Sequence, residues 1–169
     1  MWNGVKIKTI AAGAFKGNAT IKTVSLPDTV TTIEKSAFYG CSALRSINLT
    51  SACKTIGEYA FAGCEKLSDV GDLTGVTIFP DAVFLGCERL ETPTFAAALQ
   101  SIGKYAFADC RSALSIDLPD TVLSVGEYAF SGCEKVTEFH IPAGLVTFGT
   151  GALHGCTALE KLTYSDKND

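Results

Sequence analysis

The amino-acid sequence predicts an α/β repeat solenoid: one domain over residues 1–169, made of about seven stacked coils, each with a short strand and a short helical or 3₁₀ turn opposite it. Three observations carry this prediction. An aromatic anchor recurs every 23 residues at Phe15, Phe38, Phe61, Phe84, Phe107 and Phe130, with Leu153 in the seventh place. Three residues beyond each anchor stand Asn18, Cys41, Cys64, Cys87, Cys110, Cys133 and Cys156, so six of the seven cysteines share one structural position. Other columns keep step, among them Ile10, Ile33, Ile56, Phe79, Ile102, Val125 and Phe148. Self-similarity at a fixed period in this range marks a stack in which each unit buries its apolar face against its neighbours.

Within a coil, the segment after the Cys reads L-x-x-I-x-L, as in Leu44, Ile47 and Leu49. Its last three positions alternate at period two, which predicts a short half-buried strand. Pro27, Pro119 and Pro142 follow such strands, and proline, lacking the N–H, ends them. The chain then turns through an aliphatic slot, which in coil two is filled by the seventh cysteine, Cys53, to reach the next Ile. Phrases such as "KSAFYGC" and "GEYAFAGC" carry it back. There Ala, Phe and Cys at i, i+1 and i+4 place an apolar face on one predicted helical turn. Three departures predict a bulge or kink around the third and fourth coils. Pro93 replaces the central strand Ile, Asp72 takes a core Leu slot beside Leu73, and Leu114 stands one place late with Ala113 in register.

Composition narrows the function. A net charge of −4 and a pI near 5.2 supply no basic patch for nucleic acid. Charges are scattered, and no run of about 18 apolar residues is present to insert in a bilayer. The opening "MWNGVKIKTIAAGAFKGN" has no unbroken apolar stretch of a signal peptide, which taken literally says cytoplasmic. It also opens in mid-repeat, as a piece trimmed from a longer secreted protein would.

The repeated cysteine suits a slot beneath a turn, because Cys packs as a small buried hydrophobe. A disulfide framework is the competing reading, but seven thiols leave one over. Stacked strands lie about 4.8 Å apart with equivalent side chains parallel, whereas a bridge needs converging Cβ atoms about 3.8 Å apart. The column therefore predicts a ladder of free thiols. No C-x-x-C pair occurs and only two His are present, so zinc templates, and any other metal or cofactor motif, are missing.

Taken together, "LRSINL", "LPDTVTTI" (26–33) and "IGEYAFAGCEKL" (56–67) resemble the BspA-type leucine-rich repeat over residues 10 to 164. The resemblance implies a right-handed, curved leucine-rich-repeat superhelix with parallel strands on the concave side. It assigns Phe38, Cys41, Leu44, Ile47 and Leu49, with their equivalents 23 residues apart, to the core. It also implies a microbial cell-surface or secreted setting and protein or glycan ligands.

In such a solenoid the residues between the strand core positions face the concave surface. They form one column of Thr23, Ser46, Asp69, Thr92, Ser115, Glu138 and Lys161, and a second of Ser25, Asn48, Gly71, Thr94, Asp117, His140 and Thr163. The face is polar and lacks the Trp, Tyr and Arg anchors of tight protein interfaces. Its densest cluster is Ser115, Asp117, Glu138, His140, Lys161 and Thr163, the candidate ligand-binding residues. Asp117 and His140 are expected as cross-strand neighbours, so the cluster also holds the letters of a Ser/His/Asp arrangement. An open strand face supplies neither a water-excluded pocket nor an oxyanion hole, which argues against catalysis.

Smaller features read as scaffold. His154 and the column Tyr59, Tyr105 and Tyr128 fall on the returning turn, the tyrosines half-buried. Leu85 with Ala96, Ala97 and Ala98 makes a candidate bare patch. "NAT" at 18–20 and "NLT" at 48–50 match the N-glycosylation pattern. Trp2 and the charged tail are the available covers for the two ends, and strand edges left open there invite end-to-end association. The expectation is a non-enzymatic binding or adhesion module without cofactor; the alternative is a structural spacer or display scaffold with no ligand of its own.

Overall fold

A computed structural model describes residues 6–91 and 94–164. It shows a parallel-strand solenoid of about seven turns. Two lines of strands run its length, and the second was not anticipated. Along one line lie β2 (Thr23–Val24), β4 (Ser46–Leu49), β6 (Asp69–Gly71), β10 (Glu138–Ile141) and β12 (Lys161–Tyr164). The other is built from Thr-Ile-like pairs just before the returning turn. They are β1 (Thr9–Ile10), β3 (Thr32–Ile33), β5 (Thr55–Ile56), β7 (Ile78–Phe79), β8 (Ser101–Ile102), β9 (Ser124–Val125) and β11 (Thr147–Phe148). Every pairing is parallel, and all but one keep the 23-residue register throughout, as in Thr9↔Thr32 and His140↔Thr163.

The expected helical or 3₁₀ turns are absent among the described residues. Each returning segment is a run of tandem turns in which alternate N–H groups go different ways. In the first coil Ala14, Lys16 and Asn18 bond back three residues to the carbonyls of Ala11, Gly13 and Phe15. Gly13, Phe15 and Gly17 instead donate to Lys35, Ala37 and Tyr39 of the next coil, at 3.0, 2.8 and 2.7 Å. A helix would direct every N–H along its own axis, so the alternation excludes one. The conformation requires left-handed backbone twice per coil. Gly17, Gly40, Gly63, Gly86, Gly132 and Gly155 fill one position, with Asp109 (φ 58°) among them. At the other, Ser36, Tyr59, Ala82, Tyr105 and Tyr128 all hold φ between 53° and 58°. A side chain at such φ costs about 1–2 kcal/mol, which the bonds to the neighbouring coil offset.

The core threads all coils. The rings from Phe15 to Phe130 form one continuous stack, with successive centroids 5.0, 5.3, 5.3, 5.4 and 5.5 Å apart. Beside it all seven cysteines are buried and unbridged. The six of the repeated column each place Sγ 3.1–3.4 Å from the carbonyl of the anchor Phe one coil back, Cys41 on Phe15 through Cys156 on Phe130. The weak S–H donor thus finds an acceptor without leaving the apolar core. Burial pushes the thiols of Cys64 and Cys133 up to about 12, and those of Cys87 and Cys110 well above their ordinary value, with neighbouring thiols adding to the effect.

The irregular middle is real and has a definite origin. β4 pairs β6 through Ser46↔Asp69 but also Leu49↔Gly71, so β4 carries one extra residue. Gly71 (φ 71°) approaches so closely that a Cβ there would meet the Leu49 carbonyl oxygen at 2.4 Å. The slip moves Asp72 out to solvent, where it caps Thr74, and brings Leu73 into the core. Downstream, β5 and β7 are not paired on the second line. Ala113 takes the core Leu position and leaves Leu114 61% exposed. Phe95 packs edge-on against Phe79 and Phe107 and, with Ala113, lines a cavity of about 10 Å³. Ala96 is buried while Ala97 and Ala98 are exposed, which divides the bare patch expected with half-buried Leu85. Pro93 and Thr92, like Trp2 and the charged tail, lie outside the described residues.

Three consequences can be measured. Phe61→Ala opens a hole in the ring stack and is expected to destabilise the fold by about 3–5 kcal/mol in urea unfolding. Asp109→Gly relieves left-handed strain where other coils carry glycine, and should stabilise by about 1 kcal/mol in the same assay. The third concerns pH. The unfolded chain releases thiol protons near pH 8.5, whereas the folded chain holds those of Cys64 and Cys133 to about 12. Between about pH 9 and 12 the unfolded state therefore binds fewer protons, so stability is complete below this window and falls as pH rises through it. Each such thiol contributes a slope of up to about 1.4 kcal/mol per pH unit, and Cys133→Ala should flatten the profile by about one such increment; an unchanged slope would refute the assignment.

Candidate functional site

Successive strands set 23 residues apart bring equivalent side chains side by side, so any column on a strand face becomes a row of groups about 4.8 Å apart. The bridge Ile116↔Phe139 and the β10–β12 pairing place Ser115, Glu138 and Lys161 in one row and Asp117, His140 and Thr163 in the next. Between them lies a hollow of about 400 Å³, with Ile116 and Phe139 at its base. All six candidate residues line it. The two apolar residues of the floor were legible only as core positions: both are buried, yet each alternates with the polar residues that rise around it.

Among the described residues, 114–118 join β10 through the isolated bridge Ile116↔Phe139. Next to them β10 and β12 pair over four residues, Glu138↔Lys161 to Ile141↔Tyr164.

Electrostatically the site is mixed. Lys161 Nζ lies 3.3 Å from Glu138 Oε2, with both side chains about two-thirds exposed, so the pair contributes little to stability and is free to exchange partners. Asp117 is exposed, and its carboxylate has no hydrogen-bond partner among the described residues. His140 Nδ1 lies 2.9 Å from Thr163 Oγ1. The imidazole is thus oriented by a hydroxyl of the following strand at the nitrogen an orienting Asp would occupy. Ser115 stands diagonally from His140, two residues and one strand away. No group of three or more potential metal ligands is found among the described residues. What the arrangement offers is hydrogen bonding: two carboxylates, an ammonium, an imidazole and two hydroxyls around a small apolar floor.

Other candidates are accounted for by the scaffold. His154 is exposed and sits edge-on to Tyr128 at 6.3 Å; Tyr105 stacks on Tyr128 at 5.2 Å. Asn48 clamps two coils, accepting from Leu26 N–H and donating to its carbonyl, so its amide is already engaged. Asn18 Oδ1 caps its own turn at Thr20 and Ile21.

The chain matches the model of the BspA type leucine rich repeat region in six copies, over residues 4–113 and 77–169. Solved structures of leucine-rich repeat proteins are similar to it. One, described as a leucine rich cell surface protein of Faecalibacterium prausnitzii, is 33% identical with a TM-score of 0.88, over 95% of this chain and 44% of its own. A leucine-rich repeat protein of Bacteroides ovatus is 31% identical, TM-score 0.77, over 91% of this chain and 39% of its own. A third, from T. pallidum, is 30% identical, TM-score 0.78, covering 84% and 72%. This chain thus spans about two-fifths of the length of the first two. No curated protein matches it.

Proposed function

The chain belongs to the BspA-type leucine-rich-repeat family, and from that premise we propose that it is a non-enzymatic binding module that contacts a protein or glycan ligand through the hollow on its strand face. One observation carries the reading. Six polar side chains from three successive coils converge on one recess with an apolar floor. Ser115, Asp117, Glu138, His140, Lys161 and Thr163 are the contact residues. Their hydroxyls, carboxylates and imidazole suit ligands rich in hydroxyl and amide groups, and the Glu138–Lys161 pair can open to receive a charged one. A surface or secreted setting agrees with the similar Faecalibacterium protein, a leucine rich cell surface protein.

The test is binding of the purified chain to a panel of matrix proteins and glycans, beside a variant with Asp117, Glu138 and His140 all changed to Ala. Saturable binding that weakens at least tenfold in the variant, with the circular dichroism spectrum unchanged, is the expected result. Equal binding by both proteins moves the site elsewhere on the solenoid. No binding by either supports the spacer reading.

A further inference from the structure

Charge is spread unevenly over the strand face. In the first two coils, the two columns on the strands and the exposed column leading into them carry only cations, Lys22 and Arg45. From the third coil on, the same columns carry Asp69, Glu91, Asp117, Glu138 and Glu160 against a single cation, Lys161. The face is therefore polarised along the stack, and the hollow lies in its acidic half. A field of one sign over a concave surface draws in groups of the other.

Inside the hollow the chain already seats one cation. Lys161 lines it, with Nζ 3.3 Å from Glu138 Oε2. The second carboxylate, Asp117, stands diagonally from Glu138 across buried Ile116 and Phe139, and no cation reaches it among the described residues. Both carboxylates belong to the fifth and sixth coils, which have described coils on either side. An apolar floor beneath a carboxylate rim matches a side chain with an aliphatic stem and a charged head. It does not match a sugar lying flat. The one aromatic lining residue among those described, Phe139, is 1% exposed and offers no ring face.

We infer that the hollow takes a lysine or arginine side chain of a protein partner, its stem over Ile116 and Phe139 and its charged head on Asp117. This rests on the reading of the hollow as the contact site and adds the chemistry of what enters it. Lys161 then acts as a competitor, because its ammonium offsets Glu138 from within and weakens the attraction for a second cation. Removing the charge of Lys161 and removing that of Asp117 therefore change affinity in opposite directions. An anionic ligand would reverse both signs.

The test is calorimetric titration at low ionic strength with three probes: a tetralysine peptide, its copy with every lysine acetylated, and a tetraglutamate peptide. The unaltered chain should bind tetralysine and neither of the others. Asp117→Asn should weaken that binding about fivefold and Lys161→Gln should strengthen it by a similar factor, the size of an exposed ion pair. A tighter complex also shows that the second variant is folded. Glu65→Gln removes the same charge from the returning turn, where Glu65 is exposed, and should leave affinity unchanged. Failure of tetralysine to bind overturns the inference. So does weaker binding by Lys161→Gln, which would place an anion on that lysine, or an equal loss in Glu65→Gln and Asp117→Asn, which would leave only general attraction to an acidic chain. The hollow is judged separately: a matrix protein or glycan whose binding is lost in the triple Asp117, Glu138 and His140 variant, yet unmoved by Lys161→Gln, keeps the site and sinks the basic side chain.

Discussion

The rest of the structure depends on the hydrogen bonds that each returning turn sends to the next coil. They are made at all six junctions between described coils, three at a time, including the one where β5 and β7 are not paired. Because every second N–H is committed outward, the turn cannot wind into a helix. Because the outward groups must align with carbonyls 22 residues on, coil length along this line is held constant. An inserted or deleted residue in a turn would break three bonds at each side, whereas the strand line absorbs the extra residue of β4 with a bulge. The phenylalanine stack and the thiol column lie directly beneath. Each anchor carbonyl accepts both a turn N–H and a cysteine Sγ, so the polar group nearest the ring stack is doubly satisfied, as a buried carbonyl requires.

That division of labour explains which parts of the molecule were legible in sequence. The period, the anchor, the cysteine column and the free, buried state of the thiols follow from strict repetition, and the period-two alternation of Leu44, Ile47 and Leu49 reports their strand. The turn conformation was misread because Ala37, Phe38 and Cys41 at i, i+1 and i+4 share a face in a helix and in a tandem turn alike. The deciding signal was left-handed backbone. At the glycine column it was visible, but at the other position Ser36, Tyr59, Ala82 and Tyr105 carry it without any residue type that advertises it. Strands of two residues, such as Thr32–Ile33, are too short to show alternation and pass as turns. The kink was legible through Asp72, since a carboxylate in a leucine column has to leave the core.

The hollow follows from the same separation. The six residues were identified in sequence by column alone, and column membership is enough to predict adjacency in a parallel stack. What column membership does not convey is depth. The recess lies where residues 114–118 meet β10 at the Ile116 bridge and β10 meets β12 over four residues, with Ile116 and Phe139 buried beneath the polar rows. The turn line carries every junction between described coils, so the strand face is free to vary its side chains and its relief.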